Sequence, residues 1–220
     1  SIVTWSRLQN IPIISDIELF GRYAKAPIVG ISGSNGKSTV TQLLGEMALS
    51  DGKHAVICGN IGKPVMESLN DDADIYIVEI SSYQLDYTNK LNLFAGLITN
   101  ISPDHLDRYV DYEAYISSKL SIYNYSKHKA INLSDSLLSE INGDSLYGID
   151  INDSKCKFIA KKDKNIHRIY YKNEEIISSE DLTIVGVHNI ENILAALSLG
   201  DIIGLSIANM VNATKAFKGL

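Results

Sequence analysis

The sequence predicts an α/β fold, a mainly parallel sheet flanked by helices, and three observations predict it. Apolar, β-branched-rich runs at Pro27–Ser32, Ala55–Cys58, Asp74–Ile80 and Ala95–Ile101 read as strands of the buried parallel type. The first run meets a glycine-rich turn and then an amphipathic helical pattern from Val40 to Leu49. The later runs end in glycine or polar residues, and the carboxyl edge of an open α/β sheet is where ligands collect.

The glycine-rich turn is the centre of the reading. In Ile28-Val-Gly-Ile-Ser-Gly-Ser-Asn-Gly-Lys-Ser-Thr39, glycines let backbone N–H groups face an anion. Lys37 can reach outer phosphates, Ser38 can ligate magnesium, and the next helix adds its positive end. The spacing departs from the common G-x-x-x-x-G-K-[ST] pattern, because Ile31 stands where the first glycine is wanted. The variant Gly33-Ser-Asn-Gly-Lys-Ser-Thr39 therefore has to be read on its own, and it predicts a nucleotide site.

Composition sets the bounds. At 220 residues, with net charge −6 and 45% hydrophobic residues, the chain is sized for one large domain, or one domain with a fragment of another. It lacks the basic stripe that a nucleic-acid partner needs. No run of ~18 apolar residues or signal-peptide pattern points to a membrane, so a cytoplasmic, monomeric protein is expected. Cys58 and Cys156 lie far apart without CxxC spacing, which supports neither a disulfide framework nor a zinc site.

Along the chain, Ile11–Ile14 reads as a short extended piece, and Ser15 or Asp16 caps a short helix through Tyr23. Residues 1–26 read as the tail of another domain. After Ala55–Cys58 comes Gly59-Asn-Ile-Gly62, which fits a ligand-facing edge and a plain βα turn equally well. The run Asp74–Ile80 delivers Glu79 at its end, where a carboxylate needs a partner or a cation, and Ser81-Ser-Tyr-Gln-Leu85 follows. Ala95–Ile101 ends in Ser102-Pro-Asp-His-Leu-Asp107, so Asp104 and His105 arrive on the strand after Glu79, which raises a metal or phosphate role for His105.

A helix is predicted over 111–126, with Lys119 on or beside its inward face. That lysine is either a snorkelling one or one aimed into the site, where burial would lower its pKa. From 130 to 185, short strand candidates alternate with polar turns and read as an accessory antiparallel β region. A strongly apolar helix follows from about Asn189 to Ile203, with His188 and Asn189 as a candidate cap, and Ser206 caps a last helix to about Phe217.

Taken together, the variant loop, Gly59–Gly62, Glu79–Leu85, Asn100–Tyr109, Lys119 and His188-Asn189 closely resemble the Mur ligases of peptidoglycan synthesis. The resemblance runs along almost the whole chain. The Glu-x-Ser-Ser-Tyr-Gln-Leu version resembles the members that add D-glutamate to UDP-N-acetylmuramoyl-L-alanine. It implies that Gly33, Ser34, Asn35, Gly36, Lys37, Ser38, Thr39 and Asn189 bind ATP. It implies two Mg2+ ions, one at Ser38 and Glu79, the other at His105 and Lys119, the lysine being carbamylated. Asn60, Ser81 and Gln84 would contact the muramoyl substrate, and amide formation would pass through an acyl phosphate.

The resemblance also frames 27–220 as a central ATP-binding domain after a remnant of a UDP-binding domain, with the C-terminal domain absent, so the chain alone is expected to make no amide. Three rivals remain: a related amide ligase of folylpolyglutamate type, a non-catalytic nucleotide-binding module, and a P-loop hydrolase or kinase.

Overall fold

The structure, a computed structural model, describes residues 2–104 and 108–220. Its frame is one nine-stranded sheet in the order β2-β3-β1-β4-β5-β6-β7-β8-β9. The strands are β1 (Ile28–Ser32), β2 (Ala55–Gly59), β3 (Ile75–Glu79), β4 (Leu93–Ile98), β5 (Ser126–Asn132), β6 (Ser145–Ile149), β7 (Cys156–Asp163), β8 (Ile166–Tyr171) and β9 (Glu174–Ser178). β1 runs parallel to both β3 and β4 and is buried along its whole length, as is β3. Their continuous β-branched runs are explained by this position, since strands covered on both faces need no polar alternation.

Helices cover both faces. On one side α3 (Lys37–Ser50), α6 (Val187–Ile202) and α7 (Ile207–Ala216) bury Leu43, Leu44, Ile193 and Leu197 against Val29, Ile31 and Ile77. On the other, α2 (Asp16–Tyr23) and α5 (Tyr112–Leu120) pack Ile17, Phe20 and Tyr115 against Tyr76, Val78 and Ile98. The chain leaves β1 for β2 on one side and later returns to place β4 on the other. The order therefore reverses at β1, and a crevice opens at its carboxyl end. Register brings the ends level, with Glu79 opposite both Ile31 and Gly59.

Several elements differ from expectation. Residues 130–185 are not uniformly antiparallel. β5 and β6 extend the parallel sheet from β4, β7 also runs parallel to β6, and antiparallel pairing is confined to β7, β8 and β9. Residues 133–144 supply roughly the dozen that a parallel connection needs, without the helix that would have announced it. β6 itself escapes a reading of pattern, because Gly148 breaks a short run between polar loops. Ile11–Ile14 is not a strand, and a short helix α1 (Ile2–Leu8) precedes it. Gly186 holds the position before α6, so His188 and Asn189 sit inside its first turn rather than capping it. Ser206 precedes α7 without a side-chain capping bond; its backbone N–H instead donates to Asp51 Oδ1 at 3.1 Å.

Residues 15–23 are integral to this unit. Ser15 caps α2 by accepting from Glu18 N and contacts Thr88 Oγ1 at 2.8 Å. Glu18, 2% exposed, accepts N–H bonds from Asn89 and Lys90 and pairs with Arg22 at 2.7 Å. Burial alone would push its carboxyl up, but those donors outweigh it and hold the group below the usual carboxylate range. Glu18→Ala leaves two amide donors unmatched and is expected to cost about 2–4 kcal/mol in urea unfolding at pH 7. Because the folded value is depressed, the Glu18 contribution is full above the ordinary range and is lost as pH falls through it, so the two proteins converge in acid.

Candidate functional site

The loop after β1 is held from beneath before anything binds. Ser34 turns inward, its Oγ donating to Ser102 O at 3.0 Å, accepting from Ser102 N and meeting Tyr115 OH at 2.9 Å. Asn35 N donates to Asn100 Oδ1 at 3.0 Å, and Asn35 O accepts from Thr99 Oγ1 at 2.6 Å. Gly33 and Gly36 take φ of 142° and 81°. A Cβ on Gly33 would sit 1.9 Å from Thr99 Oγ1, and one on Gly36 2.1 Å from Asn192 Oδ1, so both positions exclude larger residues. Ile31 is a fully buried residue of β1, which accounts for the departure from the usual spacing: the glycines begin only where the strand ends.

Three charged groups converge here. Lys37, in the first turn of α3, folds its Nζ onto Gly33 O and Ser34 O, each at 3.0 Å. Lys119, 3% exposed near the end of α5, donates to the same Gly33 O at 2.7 Å and lies 4.8 Å from the Tyr115 ring centre. Burial, then the charge of Lys37, lowers Lys119 to about 7, with Asp104 opposing. The inward lysine of the two sequence readings is the one observed. Glu79, 1% exposed, accepts from Ser38 Oγ at 2.7 Å and from Asn60 Nδ2 at 3.0 Å. The turn Gly59–Gly62 therefore reaches the site through Asn60.

Ser81 and Gln84 form a capping box on the short helix α4 (Ser82–Leu85). Gln84 Oε1 accepts from Ser81 N and Oγ, each at 3.0 Å, and Gln84 Nε2 donates to Asp16 Oδ1 at 3.0 Å. Ser81 still lines a cavity of about 280 Å³ with Lys37, Asn60, Tyr83, Asp104 and Lys119. A second cavity, about 520 Å³, lies on the other side of the loop, between Asn35, Gly36 and Thr39 and the α6 residues His188, Asn189, Glu191 and Asn192. Lys37, Ser38, Glu79, Asn60, Ser81 and Lys119 are thus brought to one crevice, Asn189 and Thr39 to its neighbour. His105 lies outside the described residues.

Pattern reading did not single out Asn192, which packs on Gly36 one helical turn after Asn189, or the carboxamide and hydroxyl of Asn100 and Thr99 under the loop. The i, i+3 spacing of two asparagines on an apolar helix was the available signal. Among the described residues no cluster of three or more His, Cys, Asp or Glu side chains forms a metal cage, and no helix is long and apolar enough to cross a membrane. Ser38 and Glu79 nevertheless present a hydroxyl and a carboxylate in contact beside the loop, a hard-oxygen set that fits Mg2+ retaining waters.

The family described as Mur ligase middle domain matches residues 31–200. The chain belongs to the Mur ligase family. It is 40% identical over 212 residues to the UDP-N-acetylmuramoylalanine–D-glutamate ligase of Haemophilus influenzae, covering 96% of this chain and 48% of that protein. To the enzyme of the same name from Pseudomonas fluorescens it is 39% identical over 216 residues, with 96% and 48% covered. The chain thus spans about half the length of these relatives. A pseudomurein peptide ligase type C from Methanothermus fervidus shares the fold, with TM-score 0.74 and 20% identity over 92% of this chain and 51% of that one.

Burying an amine whose folded pKa is near 7 costs stability wherever the unfolded lysine is charged. The unfolded chain then binds more protons, so this cost shrinks as pH rises toward about 10.5. Lys119→Met is therefore expected to unfold at higher urea than the native protein at pH 7, with the gap narrowing by pH 10. A gap that stays constant with pH contradicts the buried, depressed amine.

Proposed function

We propose that the chain is the central nucleotide-binding part of an ATP-dependent ligase that joins D-glutamate to UDP-N-acetylmuramoyl-L-alanine in cytoplasmic peptidoglycan precursor synthesis. In this reading residues 27–220 form the ATP-binding domain, residues 1–26 belong with a preceding UDP-binding part, and the working enzyme is a monomer. The 39–40% identity to ligases of that name supports the substrate assignment. One structural observation carries the chemistry: the cavity holding Lys37 and Lys119 continues past the phosphate loop to Asn60 and Ser81. ATP hydrolysis alone needs no such polar extension.

In this reading Lys37 exchanges its two loop carbonyls for phosphate oxygens, and the loop N–H groups from Gly33 to Thr39 face the same anion. Asn60 and Ser81 orient the muramoyl substrate with its carboxylate toward the γ-phosphoryl group, while Gln84 fixes Ser81 from behind. The carboxylate attacks phosphorus, ADP leaves, and the resulting acyl phosphate loses phosphate when the amine of D-glutamate attacks its carbonyl carbon. Two anions meet in the first step, so positive charge is the main requirement. Ser38 and Glu79 would hold one Mg2+, and His105 with Lys119 a second, and bound Mg2+ supplies charge neutralisation. Lys119 is a suitable partner once carbamylated, because a neutral amine can attack carbon dioxide and the product offers anionic oxygens.

Titration of Mg-ATP into the chain by calorimetry tests the nucleotide site, with binding expected and a loss of about tenfold or more in Lys37→Ala. A protein of the relatives' full length is expected to release phosphate and form amide only when ATP, D-glutamate and UDP-N-acetylmuramoyl-L-alanine are all present. Phosphate release without the muramoyl carboxylate, or preference for another amino acid, overturns the assignment.

A further inference from the structure

The cavity between the loop and α6 has an unusual lining for a nucleotide: carboxamides from Asn35, Asn100, Asn189 and Asn192, and one carboxylate, Glu191. Glu191 is half-buried, and among the described residues no donor hydrogen-bonds to its carboxyl group. Its electrostatic neighbours are Asp135 and His188. Asp135 is already committed, accepting from Ile101 N at 2.7 Å and Leu137 N at 2.9 Å. Burial, then Asp135, holds the Glu191 carboxyl above the usual range, and His188 offsets this only in part. A carboxylate in that state gains most from an N–H or O–H donor carried by a ligand.

Phosphates bring anionic acceptors, so they belong at the Gly36–Thr39 end, and the nucleoside belongs at the Glu191 end. Two nucleoside groups can donate: ribose hydroxyls and an exocyclic amino group. The surrounding amides decide between them. A side-chain amide sets a donor beside an acceptor, the pattern that matches the N6–H and N7 edge of adenine. Amides and a carboxylate together can therefore read the edge of an amino-bearing base.

Building on the nucleotide-site reading above, we propose that Glu191 selects the nucleobase, its carboxylate accepting a hydrogen bond from an exocyclic amino group and repelling a 6-oxo group. Inosine triphosphate is the matched probe, since it differs from ATP only in carrying oxygen where ATP carries the amino group.

The test is calorimetric titration of the chain with Mg-ATP, Mg-ITP and Mg-2′-deoxy-ATP, for wild type, Glu191→Gln and Glu191→Ala, with thermal unfolding confirming that each variant is folded. The wild type is expected to prefer ATP over ITP by about tenfold, the value of one good hydrogen bond. In Glu191→Gln the two nucleotides are expected to bind about equally, because the amide can turn to donate to the 6-oxo group. Glu191→Ala is expected to narrow the preference as well.

An ATP-to-ITP ratio that is unchanged across the three proteins overturns the proposal. So does a wild type that binds ATP and ITP alike, although the nucleotide site itself then stands. If the variants change only the discrimination against 2′-deoxy-ATP, Glu191 reads the sugar and the base assignment is wrong. No binding of any nucleotide to the folded wild type overturns both this proposal and the site it rests on.

Discussion

The Gly33 carbonyl oxygen accepts hydrogen bonds from two lysines, Lys37 at 3.0 Å and Lys119 at 2.7 Å, and the rest of the site is arranged around that shared acceptor. Two ammonium groups this close repel one another, and burial of one makes the arrangement more costly still. It is sustained because one of them gives up its charge readily, which is the meaning of a Lys119 pKa near 7. The cost is local, and what it secures is a cationic pocket at the mouth of the crevice. A phosphate entering there meets Lys37 already oriented, and only the loop carbonyls need to be released.

That geometry requires the sheet order. Because β1 lies between β3 and β4, the loop after it is flanked by Glu79 on one side and by Thr99 and Asn100 on the other. Glu79 then takes Ser38 from α3 and Asn60 from the end of β2, so three consecutive strand ends are tied to one carboxylate. The under-loop bonds from Thr99, Asn100, Ser102 and Tyr115 fix the backbone of residues 33–36, leaving its N–H groups to a ligand. Rigidity beneath and open donors above are what an anion site needs.

How much of this was legible in the sequence follows from the range of each interaction. The strands β1, β2, β3 and β4 and the loop were visible because local composition encodes them: β-branched runs with polar ends. The inward Lys119 was half-visible, since helical spacing placed it on or beside the buried face but could not show that its partner would be a carbonyl far away in sequence. β6 and the parallel direction of β5 were not visible, because strand direction is set by where a connection returns, and residues 133–144 carry no helix to signal it. Asn192 was hidden for a related reason. Its importance lies in the missing side chain of Gly36, a contact between elements distant in sequence.

Ser81 and Gln84 show how one pair of side chains serves both fold and site. As a capping box they satisfy the backbone at the start of α4, a purely structural role that alone explains their types. Yet Gln84 also donates to Asp16, at the start of α2, and that bond decides which end of its amide faces Ser81. With the Gln84 oxygen directed at Ser81 N and Oγ, the serine hydroxyl is held in one orientation at the cavity wall. A cap anchored in this way orders the hydroxyl before any ligand arrives, so the entropy of ordering it is spent on folding rather than on binding. Capping and recognition are therefore not competing accounts of these residues: the cap is the means by which a mobile hydroxyl becomes a fixed one, and α2 is held against the domain partly to fix it.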